Sequence, residues 1–158
     1  MRSLSKLAVI RIRGTVDIRR KVQDTLKILG LTRPNHCVLV NDDPSTRGML
    51  QEAKDFITWG SLNPEVLEAL IRKRGRLEGN APVTDEVIDS KTRFKTIGEF
   101  AKAILEDEAE LSELKGLKKA FRLRPPKKGY KSTKRPFKDG GSLGFRAEKM
   151  NELVKRMI

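Results

Sequence analysis

His36 and Cys37 are adjacent, and they are the chain's one histidine and one cysteine. A thiol beside an imidazole is raw material for nucleophilic catalysis. Here Cys37-Val38-Leu39-Val40 reads as a short strand, and strand neighbours point to opposite faces. The two therefore make a poor nucleophile and base; Cys37 reads as buried, with His36 at the strand's mouth. One His and one Cys also fall short of the usual zinc ligand sets. Asp42 and Asp43 suggest magnesium, but Asn41-Asp42-Asp43-Pro44 is explained as a turn opening a helix, with Asp43 as N-cap and Pro44 first. No Walker loop or dinucleotide fingerprint is present, and Gly140, Gly141 and Gly144 lie in a turn-rich stretch without a phosphate cradle. The sequence thus assigns no catalytic residue, no metal ligand, no cofactor and no small-molecule substrate.

What remains is charge. The 158 residues carry a net +13, with a pI near 10.1. Residues 1–35 hold nine Lys/Arg against two Asp. Residues 115–138 hold eleven Lys/Arg and no acid, and the rest of the chain sums to −5. Solubilising charge would be mixed in sign; two basic blocks holding the whole excess predict a polyanionic partner, because neutralised phosphates release counterions. In the second block Tyr130 and Phe137 interleave with Lys127, Lys128, Lys131, Lys134, Arg135 and Lys138, an arrangement suited to stacking on unpaired bases while cations meet phosphate. The alternative for both rings is packing back onto the body. A membrane surface fits less well, since this segment carries Pro and Gly instead of an amphipathic helix. No run approaches the ~20 apolar residues of a spanning helix. The apolar run 7–10 is too short for a signal peptide. The expected location is cytoplasmic.

Five elements must position these residues in the first sixty. Residues 6–13 alternate, Ala8, Ile10 and Ile12 on one face, Leu7, Val9, Arg11 and Arg13 on the other, predicting a strand with one face buried and one basic at its end. Residues 17–29 predict a helix with Ile18, Val22, Leu26 and Leu29 on one stripe, stopped by Gly30. A strand at 37–40, a helix from Pro44 and a strand at 56–59 complete β-α-β-α-β. Both helices would cover one sheet face and leave the other free.

Residues 61–158 predict a helical extension. Asn63-Pro64-Glu65 opens a helix that Gly75 closes, Thr84 starts a short one, and Thr96-Ile97-Gly98-Glu99 fits a capping box. Glu106, Asp107, Glu108, Glu110 and Glu113 should face solvent or partner the basic arm in the absence of RNA. The arm, about 121–146, begins with Phe121-Arg122-Leu123-Arg124 as a short strand. Its Pro, Gly and like charges predict an extended segment, unordered when free. Residues 148–158 predict an amphipathic helix that returns to the body, so that the arm is anchored at both ends.

Several of these segments resemble a known family. The opening strand, the Gly14-Thr15 turn, Leu29-Gly30-Leu31 and Pro44-Ser45-Thr46-Arg47-Gly48-Met49-Leu50 are similar to the large-subunit ribosomal protein L-thirty family with its Pro-x-x-Arg-Gly-Met signature. Asp139-Gly140-Gly141-Ser142-Leu143-Gly144-Phe145-Arg146 and the ending Leu153-Val154-Lys155-Arg156-Met157-Ile158 resemble the longer eukaryotic and archaeal members. Without a long lysine-rich N-terminal extension, an archaeal member is the best match. The resemblance implies an α+β fold with a three-stranded antiparallel, ferredoxin-like sheet. It also implies a structural role on large-subunit rRNA (23S, with 5S a candidate) among neighbouring ribosomal proteins. On that reading Arg11, Arg13, Arg19, Arg20 and Arg33 fix the body on phosphates. Arg47 contacts phosphate or backbone, or forms a surface ion pair with Asp43 or Glu52. The arm's cations from Lys127 to Lys138 thread between RNA helices, and Arg122 and Arg124 join the RNA-binding set. Two alternatives stay open: a non-ribosomal RNA-binding or rRNA-maturation factor, and a small acyl phosphate hydrolase using Arg33 with Asn35 or Asn41.

Overall fold

The computed structural model describes residues 6–158. The first sixty residues form β1 (Lys6–Arg11), α1 (Arg20–Leu29), β2 (His36–Asn41), α2 (Pro44–Glu52) and β3 (Ile57–Gly60). The expected order holds, but α1 starts three residues late. Asp17 takes a left-handed φ of 54°, and Arg19 at the N-cap makes no side-chain cap bond, so the chain turns before it coils. Gly30, at φ 84°, ends the helix as expected, because the left-handed conformation costs a glycine no Cβ clash. At α2, Asp43 accepts the Thr46 N–H at 2.7 Å and Pro44 sits in the first turn.

The sheet is larger than the three antiparallel strands expected. β1 lies between β2 and β3, antiparallel to both. Two residues at each end of the arm then extend it: β4 (Phe121–Arg122) pairs antiparallel with β2, and β5 (Gly144–Phe145) pairs parallel with β3. The result is a mixed five-stranded sheet in the order β4-β2-β1-β3-β5. Open edges offer unpaired N–H and C=O groups, and the arm satisfies part of both.

Nor is one sheet face free. Leu7, Val9, Val38, Ile57 and Trp59 pack under α1 and α2 with Val22, Leu26 and Leu50. Ala8, Ile10, Cys37 and Phe121 point the other way, into a second core. That core comes from α3 (Pro64–Arg74), α5 (Ile97–Leu105) and α6 (Met150–Met157), through Leu67, Ile71, Phe100, Ile104, Val154 and Met157. α4 (Asp85–Lys91) contributes Ile88. Ala8 and Ile10, both fully buried, explain the difference: an apolar second face needs a cover, and the extension supplies it.

Caps in the extension are local and mostly legible. Thr84 and Thr96 accept the N–H groups of Val87 and Glu99. The Thr96 box is closed differently, with Glu99 accepting the Lys95 N–H at 3.1 Å. Asn63 makes no side-chain cap; its own N–H donates to Asn151 Oδ1 at 2.7 Å, tying α3 to α6.

Candidate nucleic-acid interface

The arm is a folded loop, not the unordered segment its composition predicts. At its start Leu123 N–H donates to Asn35 O, and Arg124 and Lys127 N–H donate to Met157 and Arg156 O. Arg156 returns donors to the Lys127 and Gly129 carbonyls. Farther out the loop closes on itself: Gly141 N–H donates to Pro136 O at 2.9 Å, Phe137 N–H to Leu143 O at 2.6 Å, and Ser142 Oγ to Lys131 O at 2.7 Å. Gly141 permits the closure, since a Cβ there would lie 1.9 Å from Arg135 O. Hydrogen-bonded backbone replaces the apolar packing this segment lacks.

Arg146 locks the far end. It is 8% exposed. Its Nε donates to Thr58 Oγ1 at 2.8 Å and its Nη2 to Ser142 O at 2.6 Å. Its guanidinium lies 4.8 Å from the Phe137 ring centroid. Burial lowers its pKa to about 10, which leaves it charged at neutral pH. Thr58 in turn donates to Gly144 O at 2.8 Å. The sequence places Arg146 at the end of a glycine-rich motif and assigns it no task; an arginine beside glycines carries no local sign that it will be buried.

Both aromatics turn inward. Tyr130 packs against the core, and its OH donates to Asn35 Oδ1 at 2.7 Å; burial pushes its pKa upward. Phe137 is half-buried against Arg146. For both rings the packing alternative is the one the fold takes.

The cations behave differently. Arg122, Arg124, Lys127, Lys128, Lys131, Lys134, Arg135 and Lys138 are all exposed. Among the described residues, no ion pair neutralises any Lys or Arg of residues 115–138. The acidic stretch does not partner the arm: Asp107 lies 3.8 Å from Lys6.

On the body, Arg19, Arg20 and Arg33 are exposed, and Arg13 is half-buried, its guanidinium 5.0 Å from the Phe56 ring centroid. Arg11 is a correction. It is 2% exposed, with Nε donating to Arg13 O and Nη1 to Leu31 O, both at 2.9 Å. It shares the strand face of Leu7 and Val9, under the helices, and so cannot serve as a surface phosphate contact. Arg33 and Arg122 stand near it around His36, close enough to lower the imidazole pKa. Arg47 lies beyond the other end of β2. It pairs with Asp42, Nε to Oδ1 at 2.5 Å and Nη2 to Oδ2 at 3.0 Å, not with the Asp43 or Glu52 expected.

The candidate catalytic residues of the sequence do not come together among the described residues. Burial pushes the Cys37 thiol up to about 12, far from a neutral-pH thiolate. Asn35 is engaged by Tyr130 and Asn41 by Lys6, so neither is poised beside Arg33 for an acyl phosphate. Among the described residues no His, Cys, Asp and Glu group could hold a metal, and no helix is long and apolar enough to cross a membrane.

Fold and surface together define a strongly basic α+β protein whose unpaired charge gathers on one arm and the adjoining strand ends. The sequence profile described as "Ribosomal protein L30p/L7e" matches residues 7–57. A protein of Methanopyrus kandleri named "Large ribosomal subunit protein uL30" is 48% identical over 93% of this chain and 100% of its own length. Proteins of the same name from Archaeoglobus fulgidus and Staphylothermus marinus are each 49% identical. They cover 95% and 96% of this chain and 98% and 97% of their own lengths. The chain belongs to the ribosomal protein L30p/L7e family.

Proposed function

We infer that this protein is a structural constituent of the large ribosomal subunit, works in the cytoplasm with the ribosome, and is not an enzyme. The observation that carries the reading is near-full-length identity of 48–49% to archaeal proteins named for that subunit. The mechanism is scaffolding on 23S rRNA, with 5S rRNA a second candidate, among neighbouring ribosomal proteins. Lys127, Lys128, Lys131, Lys134, Arg135 and Lys138, exposed and without ion pairs, neutralise phosphates crowded between RNA helices. Arg13, Arg19, Arg20, Arg33, Arg122 and Arg124 fix the body, and Arg47 reaches backbone from the start of α2. Phosphate contacts set position and carry no sequence information, so RNA shape supplies the selectivity. The loop's internal bonds lower the ordering cost of binding.

The test is to isolate large subunits, wash them at high salt and measure the protein against a core subunit protein. About one copy per subunit is expected. A small fraction of a copy, with the rest free or on precursor particles, would favour an rRNA-maturation factor instead.

A further inference from the structure

At one end of the sheet three basic side chains stand in a row. The β1–β2 register pairs Ile10 with Cys37, so its next step sets Arg11 opposite His36. The β2–β4 register pairs His36 with Arg122. Side chains directly opposite on adjacent strands share a face, so Arg11, His36 and Arg122 lie side by side across three strands. Arg33, in the loop leading into β2, acts on the same imidazole.

Such a row is costly unless something negative meets it. Among the described residues no carboxylate acts on His36: the charges that do are Arg122, Arg33 and Arg11. Two buried polar atoms in the row also lack a partner, Arg11 Nη2 and His36 Nδ1. Arg11 Nε and Nη1 each donate to a carbonyl, so its guanidinium is held in place and its charge stands fixed behind the imidazole. Arg33 and Arg122 are exposed and provide the open side.

We propose that His36 and Arg122, with Arg33 at the entrance and the buried charge of Arg11 behind them, form a phosphate site for the RNA backbone, in which the His36 imidazole takes up a proton from solvent as the phosphate docks. The site rests on the rRNA-binding reading and adds to it a residue, His36, and a proton. In the free protein, burial first and then the three arginines hold the imidazole below its ordinary value, so it is neutral at pH 7. A docked phosphate offsets the arginines and accepts a hydrogen bond from the protonated ring, which raises the pKa. A higher pKa in the complex means that binding tightens as pH falls. The gain is lost as pH rises through the imidazole's value in the complex.

The chain's single histidine makes the test specific. Affinity of the intact protein and of His36→Gln for purified large-subunit rRNA is compared at constant ionic strength between about pH 8 and about pH 6, where an imidazole titrates. The expected result is roughly a threefold to tenfold tightening for the intact protein, as for a shift of up to about one pKa unit, and little change for His36→Gln. Independently of any variant, NMR of the intact protein follows the imidazole with and without inorganic phosphate. Its midpoint should rise with phosphate, by less than with RNA fragments that bring the rest of the interface. Equal pH slopes in the two proteins, or a midpoint unmoved by phosphate and RNA alike, would overturn the site and leave solvent serving the two orphaned atoms. An intact protein that fails to bind rRNA at any pH would instead overturn the parent reading.

Discussion

The central strands and the arm solve the same problem with opposite means. Along β1, Leu7 to Ile10 bury side chains on both faces, and helices close over both sides of the sheet. From Arg124 to Gly140 only Pro126 is buried. The arm keeps its shape through backbone hydrogen bonds, the close approach at Gly141 and the Arg146 lock. Apolar burial leaves a strand little surface for a partner. A loop held by its own backbone can turn nearly all its side chains outward, and here those are cations. The sheet therefore carries the stability and the arm carries the charge, with β4 and β5 as the joints between them.

Four variants bear on this division. Phe100 is fully buried in the core under the sheet, and Phe100→Ala should cost about 3–5 kcal/mol in denaturant unfolding. A loss below ~1 kcal/mol would mean that the extension does not help hold the sheet. Gly141→Ala forces a Cβ against Arg135 O and should cost about 1–3 kcal/mol. Its mark is local: proteolysis within residues 127–140 should quicken far more than cleavage of the body. If unfolding and proteolysis change in step, arm and body are one unit and the division between them fails. Asp43→Ala removes the α2 cap and should lower stability by about 1 kcal/mol, read from thermal unfolding. Replacing Lys127, Lys128, Lys131, Lys134 and Lys138 together with Gln should move stability least, within about 0.5 kcal/mol, since exposed side chains without ion pairs hold nothing in the fold.

How far the sequence reaches follows the same line. Asp43-Pro44, Gly30, Thr84 and Thr96 act over one turn of helix, and each does what its type predicts. The covered second face is written in Ala8, Ile10 and Cys37, yet nothing local says that a helix ninety residues later will supply Phe100. β5, two residues long, is too short for any period to reveal; β4 lies within the short strand expected at 121–124, but nothing local says that it pairs with β2. Arg11 misleads because a charge at a strand's end suggests solvent, whereas its companions Leu7 and Val9 place it under α1 and α2. Tyr130 finds Asn35 ninety-five positions away, and Arg146 finds Thr58 eighty-eight away. Composition marks the arm as basic correctly, but many of the bonds that fold it join backbone atoms, and residue type does not reveal those.

Whether the arm's exposed lysines are the main phosphate contacts is decided by large-subunit rRNA binding across a salt series. The intact protein is compared with the variant carrying all five lysine replacements, which keeps the loop and removes its charge. Affinity of the intact protein should fall steeply with salt. The variant should bind more weakly, with the log–log slope reduced by about 3.5 to 4.5, near 0.7–0.9 for each phosphate left without its lysine. An unchanged slope, with affinity intact, would contradict this role for the arm and shift RNA binding to the arginines of the body.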